Sequence, residues 1–470
     1  MNILYCASEA LPFAASGGLA DVAGSLPRAI NEEGHDCRVV MPYYGSIKPE
    51  LKENCQFLTS FSVPVAWRNQ YCGVYTSFVK GVTYYLLDNE YYFERNGMYG
   101  FYDDAERYIF FSRAILELLH YIDFKPSILN CNDCQTALVP VYYDIFYRYQ
   151  AGYEDIKTVF TIHNIAYQGQ YGLEIINDIM GIPLYHSNIL EYDGDVNFMK
   201  GAIETADKVT TVSPTYAKEI LDPWFSHGLD RILLTKQYKL CGFLNGIDLD
   251  VHNPETDKLI PANFSIKDKS GKAICKAKLL QEMEIAPGNE PVIGIVTRFV
   301  GHKGLDLIKY VFEDIISLGF KFAILGSGEK IYEDFFSEMR YRYPDRVGLT
   351  LGFVPELSKR IYAGADMFLM PSQSEPCGLA QMISLRYGTI PIVRETGGLK
   401  DSIKDAGGFG GNGFTFKSYN AHDMLDACTR ARHLYDDQVA WADLVNNGFK
   451  QDFSWKRSAE LYIGLYNDIH

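Results

Sequence analysis

Residues 370–400, MPSQSEPCGLAQMISLRYGTIPIVRETGGLK, form the stretch whose residue types most directly suggest chemistry. Its pattern predicts the end of a buried strand, a turn, and then a helix that opens at Cys377-Gly378-Leu379. The free N–H groups and the positive dipole end of a helix N-terminus attract anions, and Gly378 would let a phosphate approach the backbone closely. This stretch therefore predicts an anion site.

Glu375 stands just ahead of that predicted helix. Because its negative charge would repel a phosphate, we expect this carboxylate to bind sugar hydroxyls instead. The alternative is a helix N-terminus that binds no ligand, with Glu375 serving only to stabilise the helix dipole. The local pattern alone leaves both interpretations open.

Two cations follow another predicted strand, residues 291–297, in the segment Arg298-Phe-Val-Gly-His-Lys303-Gly304. Arginine offers a planar fork of donors and lysine a point charge, and both suit phosphate oxygens. Placed at a strand end in the same sheet as the helix at Cys377, the two side chains predict a diphosphate clamp. Taken singly, each could instead form a surface salt bridge.

The N-terminus predicts a strand over residues 2–8, a turn at 14–18, a helix over 19–33 and a strand over 37–44. This order begins a parallel α/β domain. The double glycine Gly17-Gly18 permits close backbone approach to a ligand, and Asp21 lies in the first helical turn, a common place for an acid. The G-x-G-x-x-G dinucleotide fingerprint is absent from this turn, which disfavours an NAD enzyme.

His163-Asn164 ends the predicted strand over residues 158–162. Ligands of open α/β sheets bind at the carboxyl ends of strands, so this polar pair is a candidate for ligand contact. The alternative is a histidine whose hydrogen bonds go only to neighbouring backbone.

Cys131 and Cys134 form a C-x-x-C pair after another strand. Such a pair could be redox-active or could supply half of a metal site. No second pair and no histidine cluster stand nearby in sequence, so we expect no metal, and two inert thiols are the favoured interpretation.

Length and charge narrow the class of protein. A chain of 470 residues predicts two or three domains. The net charge of -15 argues against a nucleic-acid partner and against an anionic membrane surface. The chain shows no charged and apolar leader and no apolar run long enough to span a bilayer, and its ten cysteines are scattered. These features predict reduced thiols and a cytoplasmic location.

Strands and helices alternate in two series, separated by the polar, turn-rich residues 254–271. We predict an α/β protein of two doubly wound Rossmann-like domains, residues 1–245 and 246–450, facing across a deep cleft. A C-terminal helix at 451–470, with an amphipathic stretch at 455–466, completes the chain. A diphosphate clamp without a Walker lysine motif or a dinucleotide fingerprint predicts an enzyme that uses a nucleotide diphosphate. Sugar transfer from such a donor is the simplest reaction.

The chain resembles bacterial glycogen synthases and plant starch synthases, which are retaining glucosyltransferases of the GT-B fold. The resemblance spans nearly the whole chain and is specific because many motifs match jointly. These motifs are Ser16-Gly-Gly-Leu-Ala-Asp-Val, Thr161-Ile-His-Asn-Ile-Ala-Tyr-Gln-Gly, Leu244-Asn-Gly-Ile-Asp, Arg298 with Lys303-Gly, Glu375-Pro-Cys-Gly-Leu, Tyr387-Gly-Thr-Ile-Pro and Thr396-Gly-Gly-Leu.

The resemblance implies transfer of glucose from ADP-glucose to the non-reducing 4-hydroxyl of an α-1,4-glucan such as glycogen or a malto-oligosaccharide, with retention and without a metal or other cofactor. It implies that Arg298 and Lys303 neutralise the departing diphosphate, that Glu375 holds glucose hydroxyls, and that His163 positions the sugar. Further implied contacts to the donor are Gly17, Gly18, Asp21, Phe353 (stacked on adenine), Gly378 and Leu379. Further implied contacts to the sugar or acceptor are Tyr99, Asp133, Asn164 and Asn245. The segment 451–470 would cross back to the N-terminal domain.

The chain departs from the family pattern at three places. Ala15 replaces the lysine before the glycine pair, Ala380 stands where bacterial members commonly have threonine, and Asn132-Asp133-Cys134 replaces H-D-W. Losing a charged contact in a closed site costs roughly 1.5–3 kcal/mol, about ten- to hundred-fold in rate. The surviving Arg298, Lys303 and Glu375 still predict an enzyme.

Two alternatives remain. One is a weakly active or regulatory glucan-binding homologue, and the other is a related glycosyltransferase with another donor such as UDP-glucose. Nothing in the sequence indicates the cofactor lysine of a phosphorylase.

Overall fold

A computed structural model describes residues 1–470, and its chain divides into two compact units. Unit 1 comprises Met1–Gly246 and Trp455–His470, and unit 2 comprises Ile247–Ser454. The boundaries expected from sequence, after residues 245 and 450, lie within a few residues of these positions.

Unit 1 is built on a nine-stranded sheet with a small three-stranded sheet beside it. In chain order its strands are β1 (Asn2–Cys6), β2 (Asp36–Pro42), β3 (Gln56–Val65), β4 (Arg68–Val79), β5 (Val82–Asp88), β6 (Ile128–Asn132), β7 (Lys157–Ile162), β8 (Gln170–Tyr171), β9 (Glu191–Tyr192), β10 (Asp195–Asn197), β11 (Lys208–Thr211) and β12 (Leu240–Gly242). The large sheet has the order β12-β11-β7-β6-β1-β2-β5-β4-β3, and the small one β8-β10-β9.

The strand order of the large sheet reverses at β1. This strand pairs in parallel with β2 on one side and with β6 on the other, so later strands are added on both sides of it. Such a reversal of strand order is where open α/β sheets bind ligands, at the carboxyl ends of the strands. Ile3, Leu4, Tyr5 and Cys6 are fully buried, which explains why β1 is an unbroken apolar run. Only β3 and β4 at one edge introduce antiparallel pairing into this sheet.

Nine helices belong to the first segment of unit 1, Met1–Gly246. They are α1 (Gly18–Glu32), α2 (Pro49–Lys52), α3 (Glu90–Phe93), α4 (Asp104–Leu118), α5 (Leu138–Tyr142), α6 (Ile175–Asp178), α7 (Phe198–Thr205), α8 (Pro214–Glu219) and α9 (Asp230–Thr235). A π-helical turn, Tyr143–Tyr147, continues α5, and 3-10 turns occupy Leu184–Ile189 and Gln237–Lys239. Helix α1 buries one face, with Leu19, Ala23, Leu26 and Ile30 at helical spacing.

Unit 2 is a six-stranded sheet in which every pairing is parallel. Its strands are β13 (Val292–Val296), β14 (Lys321–Gly326), β15 (Val347–Leu351), β16 (Met367–Met370), β17 (Ile390–Arg394) and β18 (Phe414–Phe416), in the order β15-β14-β13-β16-β17-β18. Its helices are α10 (Ser270–Glu282), α11 (Leu305–Ser317), α12 (Lys330–Arg342), α13 (Pro355–Gly364), α14 (Ala380–Arg386), α15 (Gly397–Ser402), α16 (Ala421–Asp436) and α17 (Gln438–Phe449), with a 3-10 turn at Gly301–Lys303. The order reverses at β13, which therefore marks the expected ligand edge of unit 2.

The last helix, α18 (Trp455–Ile469), packs on unit 1. Tyr466 is fully buried, and its hydroxyl donates to Asn130 Oδ1 on β6 at 3.0 Å. Lys456 forms an ion pair with Glu33, just after α1, at 3.4 Å. The C-terminal helix thereby packs on the large sheet of unit 1, which contains the N-terminal strand β1.

No helix of the protein combines the length and the apolar character that crossing a lipid bilayer requires.

Candidate functional site

A lysine and a glutamate meet where the neighbouring strands β13 and β16 end. Lys303 Nζ lies 2.7 Å from Glu375 Oε2, and the Ser372 hydroxyl donates to the same oxygen at 3.0 Å. The side chains of Lys303 and Glu375 are 19% and 10% exposed. The structure thus joins two residues that the sequence placed in separate motifs, 72 positions apart.

Gly304 makes this approach possible. Its φ of +74° lies in the left-handed region, and a Cβ there would be 2.1 Å from the carbonyl oxygen of Pro371. Only glycine allows the loop after β13 to lie this close to the turn after β16. That contact brings Lys303 to Glu375.

The predicted helix start at Cys377 is wrong, because α14 begins at Ala380. Gly378 has a φ of +69°, which a right-handed helix cannot contain, so Cys377-Gly378-Leu379 form a turn ahead of the helix. The amides of Gly378 and Leu379 donate to no protein group. They remain available to an anion, but as turn amides rather than as the first turn of a long helix.

Two glycines of the Thr396-Gly-Gly-Leu motif support this turn, a role that sequence reasoning missed. A Cβ at Gly397 would lie 2.0 Å from the Glu375 carbonyl oxygen, and one at Gly398 would lie 2.0 Å from that of Cys377. The Gly398 N–H donates to the Glu375 carbonyl at 3.1 Å. The glycine pair therefore lets α15 pack directly against the turn that carries Glu375.

Arg298 and Phe353 present their side chains to solvent. Arg298 is exposed and its guanidinium has no hydrogen-bond partner in the protein. Phe353 is 89% exposed and follows Gly352, whose φ is +132°. Both side chains are free to contact a ligand, as their predicted roles require.

In unit 1 a buried carboxylate holds the glycine turn ahead of α1. Glu9 Oε2 accepts hydrogen bonds from the Ser16 amide at 2.5 Å and the Ser16 hydroxyl at 2.7 Å, and burial raises the pKa of Glu9 to about 6. A Cβ at Gly18 would meet no atom within 4 Å, so open space lies in front of this backbone. Ala15 is exposed at the same turn. Sequence reasoning missed Glu9. Its signal in the sequence is an acidic residue shortly after the apolar strand β1.

His163 is held by the turn after the neighbouring strand β6. Asp133 Oδ1 accepts from the His163 amide at 2.8 Å, and Asn132 Oδ1 lies 2.9 Å from His163 Nε2. Asp133 has a φ of +56°, a conformation that aspartate tolerates better than most residues. Burial raises the pKa of Asp133 to about 7 and lowers the pKa of His163 to about 3, so His163 is neutral at physiological pH.

The remaining predicted residues of unit 1 differ in their surroundings. Asn164 Oδ1 accepts from the Ala166 amide at 3.0 Å, so part of its side chain stabilises the local turn. The Tyr99 hydroxyl shares a hydrogen bond with Ser8 Oγ at 2.7 Å. Asn245 is 6% exposed, and its Oδ1 is buried without a hydrogen-bond partner in the protein. Asp21 lies exposed in the first turn of α1, and Gly17 precedes that helix.

The fold also gives the geometry of the C-x-x-C thiols and of the side chains of metal-binding type. No group of three or more His, Cys, Asp or Glu side chains is arranged to hold a metal ion. Cys131 and Cys134 are both free thiols, and burial raises the pKa of Cys134 well above its usual range. A raised pKa makes a thiol unreactive as a nucleophile.

Comparison with known proteins finds the same relatives along the whole chain. Residues 2–235 match the starch synthase catalytic domain family, and residues 279–448 match glycosyl transferases group 1. Glycogen synthases of Desulforamulus reducens and Bacillus cereus are each 46% identical over 475 residues, covering 100% of this chain and 99% and 100% of theirs.

Solved structures of glycosyltransferases resemble this chain over its full length. The catalytic domain of starch synthase IV from Arabidopsis thaliana, bound to ADP and acarbose, is 34% identical with a TM-score of 0.91, covering 100% of this chain and 99% of that one. A sucrose-phosphate synthase from Thermosynechococcus elongatus, 14% identical with a TM-score of 0.62, covers 100% of this chain and 98% of its own and shares the fold. The predicted GT-B architecture of two doubly wound units is confirmed. Full-length identity at this level, together with the motifs around Glu375 and His163, shows that the chain belongs to the glycogen and starch synthase family of glucosyltransferases.

Proposed function

We propose that this protein is a glycogen synthase that transfers glucose from ADP-glucose to the non-reducing 4-hydroxyl of an α-1,4-glucan, with retention of anomeric configuration. The observation that carries the proposal is the Lys303–Glu375 pair beside the unpartnered amides of Gly378 and Leu379. It combines cationic, anionic and N–H groups, which suit a ligand that is part diphosphate and part sugar. The curated relatives are named glycogen synthases over their full length, which supports this assignment.

The leaving group of this reaction is ADP, on which negative charge grows as the glycosidic bond breaks. Arg298 would bind the diphosphate through its fork of donors, and Lys303 would add a point charge. The amides of Gly18, Gly378 and Leu379 would donate to the remaining oxygens, and Phe353 would stack on adenine. The related starch synthase IV was solved with ADP bound, which supports a nucleotide in this role. These cationic side chains supply the charge stabilisation, and we propose that no metal ion is required.

The sugar contacts are assigned to polar side chains of the motifs that carry the family resemblance. Glu375 would accept from glucose hydroxyls, and Asn245 Oδ1 has an unused acceptor position. His163, Asn164, Asp133 and Tyr99 would line the sugar or acceptor position. The acarbose in the starch synthase IV structure supports a glucan-like acceptor.

Retention without an enzymic nucleophile requires attack on the same face from which ADP departs. In the proposed step the bond between the anomeric carbon and the diphosphate oxygen breaks, and a bond to the acceptor 4-oxygen forms. The proton of the 4-hydroxyl passes to the departing phosphate oxygen, so charge and atoms balance. The protein contributes the positive charge that lets the phosphate leave.

The direct test is incorporation of radiolabelled glucose into glycogen from ADP-glucose, beside a parallel reaction with UDP-glucose. We expect incorporation from ADP-glucose. No incorporation from either donor by folded protein would overturn the assignment as an enzyme. Binding of ADP-glucose without transfer would identify the regulatory homologue to which Ala15 points.

All ten cysteines are free, which supports a reducing, cytoplasmic location.

Restoring the cation missing at position 15 should strengthen donor binding. Ala15 is exposed at the turn that carries Gly17 and Gly18, so a lysine side chain fits without repacking. We expect Ala15→Lys to lower the KM for ADP-glucose about ten- to hundredfold, because a charge-assisted contact to phosphate contributes about 1.5–3 kcal/mol. Ala15→Gln, with a side chain of similar length and no charge, is the matched control. An unchanged KM in the lysine variant would show that phosphate charge is already neutralised by other groups.

A further inference from the structure

Asn132 stands where the family pattern has histidine. Its hydrogen bonds fix which end of the side-chain amide is the nitrogen and which is the oxygen. It is fully buried on β6. Its Nδ2 donates to the Cys6 carbonyl at 2.8 Å and to the Asn130 carbonyl at 3.3 Å. Carbonyl oxygens only accept hydrogen bonds, so the amide nitrogen must face them, and the opposite orientation would bring oxygen against oxygen.

The other end of this amide is therefore an acceptor. Asn132 Oδ1 receives the Tyr5 hydroxyl at 3.0 Å and lies 2.9 Å from His163 Nε2. An acceptor at hydrogen-bond distance from a ring nitrogen requires that nitrogen to carry the proton. The asymmetry of the Asn132 environment thus decides the tautomer of His163.

We propose that Asn132 is a positioning residue that holds His163 as the neutral Nε2–H tautomer, leaving Nδ1 as a hydrogen-bond acceptor for a substrate hydroxyl. The amide of His163 is held separately by Asp133, so the backbone and the ring are held by adjacent residues, one at the end of β6 and one just after it. No protein group forms a hydrogen bond with Nδ1, and the His163 residue is half-buried. The part of the proposal that concerns a sugar hydroxyl rests on the proposed function, whereas the tautomer does not.

This inference gives a reason for the departure at position 132. A buried asparagine offers a neutral acceptor of fixed direction, provided that two carbonyls hold its nitrogen, and both carbonyls are present here. The amide is uncharged, so it orients the ring without favouring the imidazolium. His163 consequently remains an acceptor over the whole physiological pH range, in agreement with the effect of burial on its pKa.

The test is the nitrogen NMR spectrum of the full-length protein labelled with 15N-histidine, in which protonated and unprotonated ring nitrogens resonate far apart. His163→Gln identifies the His163 signals by their loss. In the wild-type protein we expect a protonated Nε2 whose proton exchanges slowly with water, and an unprotonated Nδ1. An Nδ1–H tautomer, or a ring that protonates between pH 6 and 8, would overturn the proposal without any bearing on glucosyl transfer.

A matched pair of variants separates positioning from stability. Asn132→Leu removes the acceptor with little change of volume, and we expect loss of the protected Nε2–H signal and about a tenfold fall in kcat/KM. Asn130 is the control, because it lies two residues earlier on the same strand, is equally buried and contacts Thr161 and Tyr466 rather than His163. Asn130→Leu should keep the His163 signals and most of the activity. Persistence of the protected Nε2–H signal in Asn132→Leu would refute the role of Asn132.

Discussion

Replacing Arg298 by alanine should lower kcat for glucose transfer from ADP-glucose by about two to three orders of magnitude, the usual cost of removing one charge-stabilising donor from a transition state. The guanidinium is exposed and bonded to no protein group, so its removal leaves no unpaired partner. The thermal midpoint should therefore stay unchanged. Initial rates over a range of donor concentrations, measured beside thermal unfolding, test both statements.

The choice of controls makes this result specific. Arg298→Lys keeps the charge but loses the fork, and we expect an intermediate rate. Lys330→Ala removes another cation of unit 2, one that is 83% exposed and paired only with Asp334, and should leave the rate unchanged. If Arg298→Ala retained activity within a few-fold of wild type, the diphosphate would not depend on this side chain, and the clamp would have to be reassigned.

The parts of the site that sequence reasoning found are those that follow a strand. Arg298 and Lys303 come after β13 and Glu375 after β16, and in a parallel sheet neighbouring strands end at one edge. Apolar runs identify such strands reliably because both faces are buried. The general placement of these cations and of Glu375 could therefore be predicted without coordinates.

The parts that sequence reasoning missed depend on contacts between distant segments or on backbone conformation. The interaction of Asn132 with His163 joins the ends of two neighbouring strands 31 positions apart in sequence, and no local pattern reports it. The sequence pattern predicts the start of α14 three residues early, because it does not reveal the left-handed φ of Gly378, which lies in the turn before the helix. Gly397 and Gly398 are recognisable as a motif, but their function is steric and appears only when the carbonyls of the neighbouring turn are in place.

The Lys303–Glu375 pair should show strong coupling in both stability and rate. Both side chains are largely buried, so Glu375→Gln leaves the ammonium of Lys303 in a poorly solvated place without its counter-charge. Breaking a buried pair by removing one partner costs about 3 kcal/mol or more. We expect Glu375→Gln to lower the free energy of unfolding by about that amount and kcat by more than a hundredfold, because the glucose contact is lost as well. Chemical denaturation and initial rates measure the two effects separately.

The double variant distinguishes a structural pair from a catalytic one. Lys303→Met together with Glu375→Gln removes both charges, so much of the lost stability should return, since no unpaired ion remains buried. Activity should not return, because neither the diphosphate cation nor the sugar carboxylate is present. The exposed pair Lys330–Asp334 provides the reference cycle, in which coupling should be under about 1 kcal/mol. Recovery of activity with recovery of stability would mean that the pair only supports the fold, whereas stable but inactive double-variant protein places both residues in the chemistry of transfer.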